Sequence, residues 1–326
     1  MLEELRNKLG ESVRENEPLA KYTTYRIGGP ARYYVEAQSA DQAVAAVAAA
    51  RELELPYYVL GGGSNVLVHE SGFEGLVVRM ANRGIEIDGA RVTAQAGTPT
   101  AKMALETTEA GLTGFEWAIG IPGTVGGAVR GNAGAFDGET GDAVVSMDVF
   151  KDGERLTMTK EQCEFGYRDS CFKHLPGTVV LAATFELAQS EDRDAGLEKL
   201  KDLLRKKAAD QPVDRPTAGC MFKNWQPESE EELKGLRGWL DLNPDEQVPV
   251  APNGSVSAGW IIDRAQMKGT KVGKARVSEK HANFIVIEEG AETNDIIALM
   301  ATIKSRVRKM TEGIVQLQEE VEYVGF

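Results

Sequence analysis

The chain carries only three cysteines and three histidines among its 326 residues, and that scarcity removes whole classes of chemistry. Cys163, Cys171 and Cys220 show no C-x-x-C spacing and are odd in number, so neither a zinc site nor a disulfide framework is expected. His69, His174 and His281 are scattered along the chain, and no metal site is predicted. Basic residues are also in deficit: 37 Lys and Arg face 50 Asp and Glu, a net charge of −13. Nucleic acids and anionic membranes demand a basic face and are therefore not expected as partners. A small anionic substrate is still allowed, because it needs only local positive charge. No apolar run approaches the roughly eighteen residues of a membrane span. The first residues, M-L-E-E-L-R-N-K-L, are charged and lack the apolar core of a signal peptide. The expectation is a soluble, cytoplasmic protein, a monomer or weak oligomer. Its 42% apolar content is sufficient for a sizeable core and two or three domains.

Glycine, by contrast, is plentiful and clustered. One cluster lies in V-L-G-G-G-S-N-V-L-V (59–68); another, G-I-P-G-T-V-G-G-A-V-R-G-N-A-G (120–134), has six glycines in fifteen positions. Glycine is entropically costly, so such density implies positive φ or a close approach of backbone to something else. Neither cluster is G-x-G-x-x-G opening a helix, so the Rossmann fingerprint is absent. A tight turn between strands would account for either one alone. Two of them, each beside strand-like runs, favour a large phosphate-bearing cofactor gripped by main chain from two sides.

The periodicities predict helices at 2–9, from Ser39 to 50, from Thr98 to Gly111, at 192–209, from Ser257 to Gly269, and at 293–311. Thr98 is the expected N-cap of the third, Gly269 the C′ residue of the fifth. Strands are predicted at 32–37, 57–60, 66–68, 76–80, 85–95 with an Asp88-Gly89 turn, 144–151, 154–158, 178–187, 283–288 and 314–324. Residues 226–255, rich in Glu, Pro, Asn and Gly, read as a surface insertion.

Seven segments then occur in order: Y-T-T-Y-R-I-G-G-P-A (22–31), the two glycine clusters, F-G-Y-R-D-S-C-F-K (165–173), A-G-C-M-F-K-N (218–224), A-G-W-I-I-D (258–263) and V-S-E-K-H-A-N-F-I (277–285). Together they closely resemble the UDP-N-acetylenolpyruvoylglucosamine reductase (MurB) family over nearly the whole chain, with features of its shorter, type II subgroup. The resemblance implies an α/β (α+β) fold: a two-lobed FAD-binding domain of the vanillyl-alcohol-oxidase type (1–81 and 82–207) and a separate α+β substrate-binding domain (208–326). It implies FAD and NADPH as cofactors and a UDP-sugar as substrate, although no motif that reads a ribose phosphate is visible.

Carried over residue by residue, Arg168 is the catalytic arginine, Cys220 the proton donor at a position where relatives have serine, and Glu320 the carboxylate that serves the enol-like intermediate. Gly61, Gly62, Gly63, Ser64, Asn65, Ile121, Pro122, Gly123, Gly126, Gly127 and Asn132 are the expected FAD contacts. Tyr167, Lys223 and Asn224 are the expected substrate contacts. Three positions depart from the family pattern: Asp210 and Glu322 stand where basic residues are usual, and Trp225 replaces a frequent proline. An FAD oxidase of the same fold and a non-catalytic UDP-sugar-binding module are the alternatives. The arginine–cysteine–glutamate set argues against the oxidase, which needs a base rather than a carbon-acid donor.

Overall fold

The computed structural model describes residues 1–239 and 247–326. The chain divides into two compact units whose segments interleave. The first holds residues 1–18, 30–63 and 72–207; the second holds 19–29, 64–71 and 208–326. Each has its own apolar core.

In the first unit, a four-stranded sheet runs in the order Arg14–Pro18, Pro30–Ala37, Phe73–Met80, Tyr57–Leu60. Its last three strands are parallel, and the helix Ala40–Glu52 provides the crossover. Leu76, Val77 and Val78 are all fully buried, the continuous apolar run of a strand covered on both faces. Ser39 starts the helix as expected, its Oγ accepting from the Gln42 N–H at 3.2 Å. Gln42 reaches back to the Gln38 N–H at 2.7 Å, which fixes the entry of the chain. Pro56 precedes the next strand and bars further helix.

A second, antiparallel sheet follows, ordered Glu154–Thr159, Val144–Lys151, Val179–Glu186, Arg91–Gln95, Ile85–Asp88. Both Asp-Gly turns form where the sequence placed them, with positive φ at Asp152, Gly153 and Gly89. The helix Thr100–Glu109 starts later than expected: its N-cap is Pro99. Thr98 does not cap it, because its hydroxyl donates to the Gly84 carbonyl and accepts from the Gly84 N–H, both at 3.1 Å.

The second unit packs the helices Ala258–Arg264 and Thr293–Met310 with a small sheet, Lys271–Val272, Ala275–Val277 and Ile285–Ile287. Ile296, Leu299, Met300, Ile303 and Val307 give the long helix its buried stripe. Three expectations need correction here. The helix begun at Ser257 stops at Arg264, and Gly269 instead sits in a turn, donating to Val277 O. Only Glu322–Val324 of the C-terminal run is strand, pairing in parallel with Val66–Val68. Within 226–255, residues 240–246 lie outside the described set, but Glu230–Trp239 is a helix with Leu236 fully buried. Trp225 is buried too, and its backbone pairs with Val256. That part of the insertion is therefore integrated into the second core.

Candidate active site

The two glycine clusters meet inside the first unit. A Cβ on Gly62 would stand 2.7 Å from Gly123 Cα, so any side chain there would drive the two loops apart. A Cβ on Gly61 would stand 2.7 Å from Thr124 Oγ1. Gly126 is small for another reason. Its Cβ would strike the Ala96 side chain at 2.9 Å, and its N–H already donates to Ala96 O. The Val125 N–H likewise donates to Thr98 O. These two amides are engaged within the fold, while Gly126 still lines the cavity beside the loops.

Beside this junction is a cavity of about 310 Å³, lined among others by Tyr58, Gly61, Thr124, Gly127, Arg130 and Lys173. Thr178 also lines it, and both Thr124 Oγ1 and Thr178 Oγ1 are buried without a hydrogen-bond partner. Such a hydroxyl costs about 1–3 kcal/mol if left unanswered. A polar ligand that answers both, faces main chain bare of Cβ atoms and lies near two cations is what a nucleotide phosphate offers. The residues present therefore fit FAD. Ile121 and Pro122 lead into the loop, where Ile121 O accepts from Thr100 Oγ1 at 2.7 Å and Gly120 O accepts from Lys207 Nζ.

Arg168 belongs to the same unit and sits in a tight turn closed by reciprocal hydrogen bonds between Gly166 and Asp169. Its φ of 53° is unusual for a residue with a side chain. The guanidinium donates to Gly134 O at 2.7 Å and Asn132 O at 3.4 Å, and lies over the Tyr167 ring at 5.2 Å. Asp169 is held below the usual carboxylate range. Burial opposes this, but the His174 ring at 2.9 Å and the Ser170 N–H outweigh it. Asn132, expected as a cofactor contact, is fully buried. Its side chain donates to Gly166 O and Glu139 Oε1 and accepts from the Gly141 N–H. Its backbone carbonyl also accepts from Arg168, so its polar groups are engaged with protein.

Cys220 and Glu320 belong to the second unit, and three separate chain segments bring them together. Cys220 bridges Phe284, Phe222 bridges Glu319, and the Glu320 N–H donates to Met221 O at 2.9 Å. Asn65 fastens the far side: its Nδ2 donates to Glu320 O at 3.0 Å and its carbonyl accepts from the Glu322 N–H. Ser64 and Asn65 thus lie in the second unit, whereas Gly61–Gly63 lie in the first. The Lys223 N–H donates to Gln318 O, and Asn224 Oδ1 accepts from the Ala258 N–H at the start of a helix. Asp210 ends the helix Arg193–Asp210.

Two family descriptions match consecutive parts of the chain: an FAD binding domain over residues 31–159 and the UDP-N-acetylenolpyruvoylglucosamine reductase C-terminal domain over 211–324. A UDP-N-acetylenolpyruvoylglucosamine reductase of Clostridium botulinum (strain Hall) is 35% identical over 96% of this chain and 93% of its own length. The chain belongs to this reductase family. A namesake from Chlamydia trachomatis serovar A is also 35% identical, over 97% of each chain. The crystal structure of the Thermus caldophilus enzyme (MurB) matches with a TM-score of 0.74 at 32% identity, covering 96% of this chain and 99% of that one. As a member of the family, the chain has the two-part α/β fold expected and is an FAD-dependent oxidoreductase.

Reading the family's motifs from sequence did not single out Thr124, Arg130 and Lys173, although the quoted segments contain them, or Thr178, which lies outside all of them. Nor did it single out Asn283 within V-S-E-K-H-A-N-F. Asn283 is buried and clamps Phe222 like a strand edge, accepting from its N–H at 3.0 Å and donating to its carbonyl at 2.8 Å.

Proposed function

We propose that the chain reduces UDP-N-acetylglucosamine enolpyruvate to UDP-N-acetylmuramate with NADPH, a step of peptidoglycan precursor synthesis. The observation that carries this reading is the junction of Cys220 with Glu320 through the Met221–Glu320 hydrogen bond, in a chain of this family. Bound FAD would supply hydride chemistry between NADPH and C3 of the enolpyruvyl group. Gly61–Asn65, Ile121–Gly123, Gly126 and Gly127 would hold the cofactor, with the lobes drawn from 1–81 and 82–207 and the substrate domain from 208–326, which the segments 19–29 and 64–71 join.

The remaining chemistry falls to side chains. Hydride at C3 leaves negative charge at C2, delocalised into the adjoining carboxylate. Arg168 pairs with that carboxylate and gains most from the interaction as the charge builds. The Cys220 thiol carries an S–H and hands its proton to C2. Glu320 steadies the enol-like species beside it. Tyr167, Lys223 and Asn224 contact the substrate. A serine can replace the thiol as donor; a methyl group cannot.

Anaerobic NADPH should bleach the yellow protein, and the enolpyruvyl substrate should restore the colour with one product formed per flavin. In Cys220→Ser recolouring persists. In Cys220→Ala bleaching is normal but recolouring slows by about 10²-fold or more. Unimpaired recolouring of the alanine variant refutes the donor role, and recolouring by oxygen alone favours an oxidase.

A further inference from the structure

We infer that Asn132 is a positioning residue for Arg168, acting through the turn that carries it; the inference rests on the catalytic reading of Arg168 given above. Asn132 ends the short helix Val125–Gly131 in the left-handed conformation, φ 40°, and is wholly buried. That conformation aims its side chain and its carbonyl at the same turn. Nδ2 donates to Gly166 O at 2.8 Å, which fixes one end of the Gly166–Asp169 turn. The carbonyl of the same residue accepts from Arg168 Nη1, and Gly134 O, two residues on, accepts from Nη2.

Backbone and side chain of one residue therefore hold both the base and the tip of Arg168. The other two side-chain bonds anchor Asn132 itself. Nδ2 also donates to Glu139 Oε1 at 2.9 Å, and Oδ1 accepts from the Gly141 N–H at 2.9 Å. Glu139 and Gly141 belong to the start of the helix Thr140–Ala143, so three chain segments converge on one amide. Ser170 Oγ donates to Arg130 O at 2.7 Å and ties the other side of the turn to the same short helix, while Lys173 Nζ, in the turn that follows, donates to Arg168 O at 2.8 Å.

The arrangement explains how Arg168 keeps φ at 53°, a conformation that local sterics disfavour and only surrounding bonds can enforce. It also has a chemical consequence. A guanidinium has five N–H groups in a rigid fork. Two carbonyls at one edge set the plane of that fork, and thereby the direction in which the remaining donors meet a carboxylate. Aspartate at 132 would put a second carboxylate against Glu139 and an acceptor against Gly166 O. Glycine would keep the backbone conformation while removing all three side-chain bonds.

The test uses the FAD-loaded full chain as Asn132→Gly, Arg168→Ala and the double variant, with each half-reaction followed separately. Asn132→Gly should slow recolouring by the enolpyruvyl substrate about 10²-fold, the scale of an ångström-sized misplacement. Bleaching by NADPH should change less than about threefold. In the Arg168→Ala background, Asn132→Gly should add nothing, because its effect passes through the missing guanidinium. An additive loss, or equal slowing of both half-reactions, overturns the inference. Should Arg168→Ala itself leave recolouring unchanged, the catalytic reading of Arg168 falls. The positioning claim is then judged by the ¹⁵N NMR signal of the Arg168 guanidinium, identified by its loss in Arg168→Ala. That signal should broaden or shift in Asn132→Gly; an unmoved signal refutes the positioning role. If Asn132→Gly does not fold, Asn132→Asp combined with Glu139→Gln restores the pair to Glu139 while leaving an acceptor against Gly166 O, and is read in the same way.

Discussion

One carbon atom at Gly62 is enough to separate the two loops on which the cofactor reading depends. Gly62→Ala should sharply reduce flavin content in the purified protein, because its Cβ meets backbone, which cannot rotate away. Gly131→Ala is the control. A Cβ there meets nothing within 4 Å and the residue is helical, so alanine should stabilise by about 0.5–1 kcal/mol with flavin retained. Absorbance at the flavin band and a urea midpoint measure the two outcomes. At this scale, Arg168, Cys220 and Glu320 could be singled out because each sits in a motif of the family. The contacts of Gly126 and Asn132 could not be read from it. A glycine that makes room for Ala96 and one that makes room for a ligand are the same letter, and an asparagine does not declare its partners.

Among the elements, those with local causes were legible and those with distant causes were not. Ser39, the Asp-Gly turns and the apolar stripe of Thr293–Met310 act within a few residues of themselves, and each appears where expected. Thr98 was misread because its hydroxyl is taken by Gly84, fourteen positions earlier in the chain. The C-terminal run alternates like a strand, and Val315, Leu317 and Val321 are indeed buried. Its partner at 314–321 is the irregular segment around Phe222 rather than a sheet, so the strand shortens to three residues. Asn283 supplies the edge that a sheet would have provided. Asn283→Ala should therefore cost about 2–4 kcal/mol by urea unfolding, since it leaves a buried N–H and C=O of Phe222 unanswered. If Cys220 is the donor proposed above, the damage should concentrate in the second half-reaction.

For the molecule as a whole, the acidic balance makes pH the variable to which stability should respond. His281 is pushed below its ordinary 6.5 by burial and by Lys268, against the pull of Asp210 and Asp263. Its Nδ1 accepts the Asn283 N–H at 3.2 Å, a bond that protonation there would break. Glu116 and Glu319 are held below the ordinary 4.5: burial pushes both up, but hydrogen bonds from Thr113 and Gly114, and from Tyr323 and Lys304, outweigh it. In every case the unfolded chain binds the proton more readily, so unfolding free energy rises with pH between the folded and unfolded pKa values. Stability should be full above about pH 6.5, fall first as the histidine window opens below that value, and fall again below about 4.5. His281→Gln should flatten the upper step and leave the lower one, as read from urea midpoints between pH 7 and 4.

What the sequence by itself determined is the set of local parts: helices, turns, two backbone loops without side chains, and the motif residues that mark the family. Those follow from φ preferences, hydrophobic period and capping, all of which act over a few residues. What only the tertiary structure decided is which parts share a unit. Residues 19–29 and 64–71 fold with the C-terminal segment, where Tyr25 is buried with its hydroxyl on Ile285 O, and the Asn65 side chain bonds Glu320 O. The physical reason is that a buried hydrogen bond is indifferent to sequence separation. Tyr25 and Asn65 take partners more than 250 positions away, at distances no local pattern can encode.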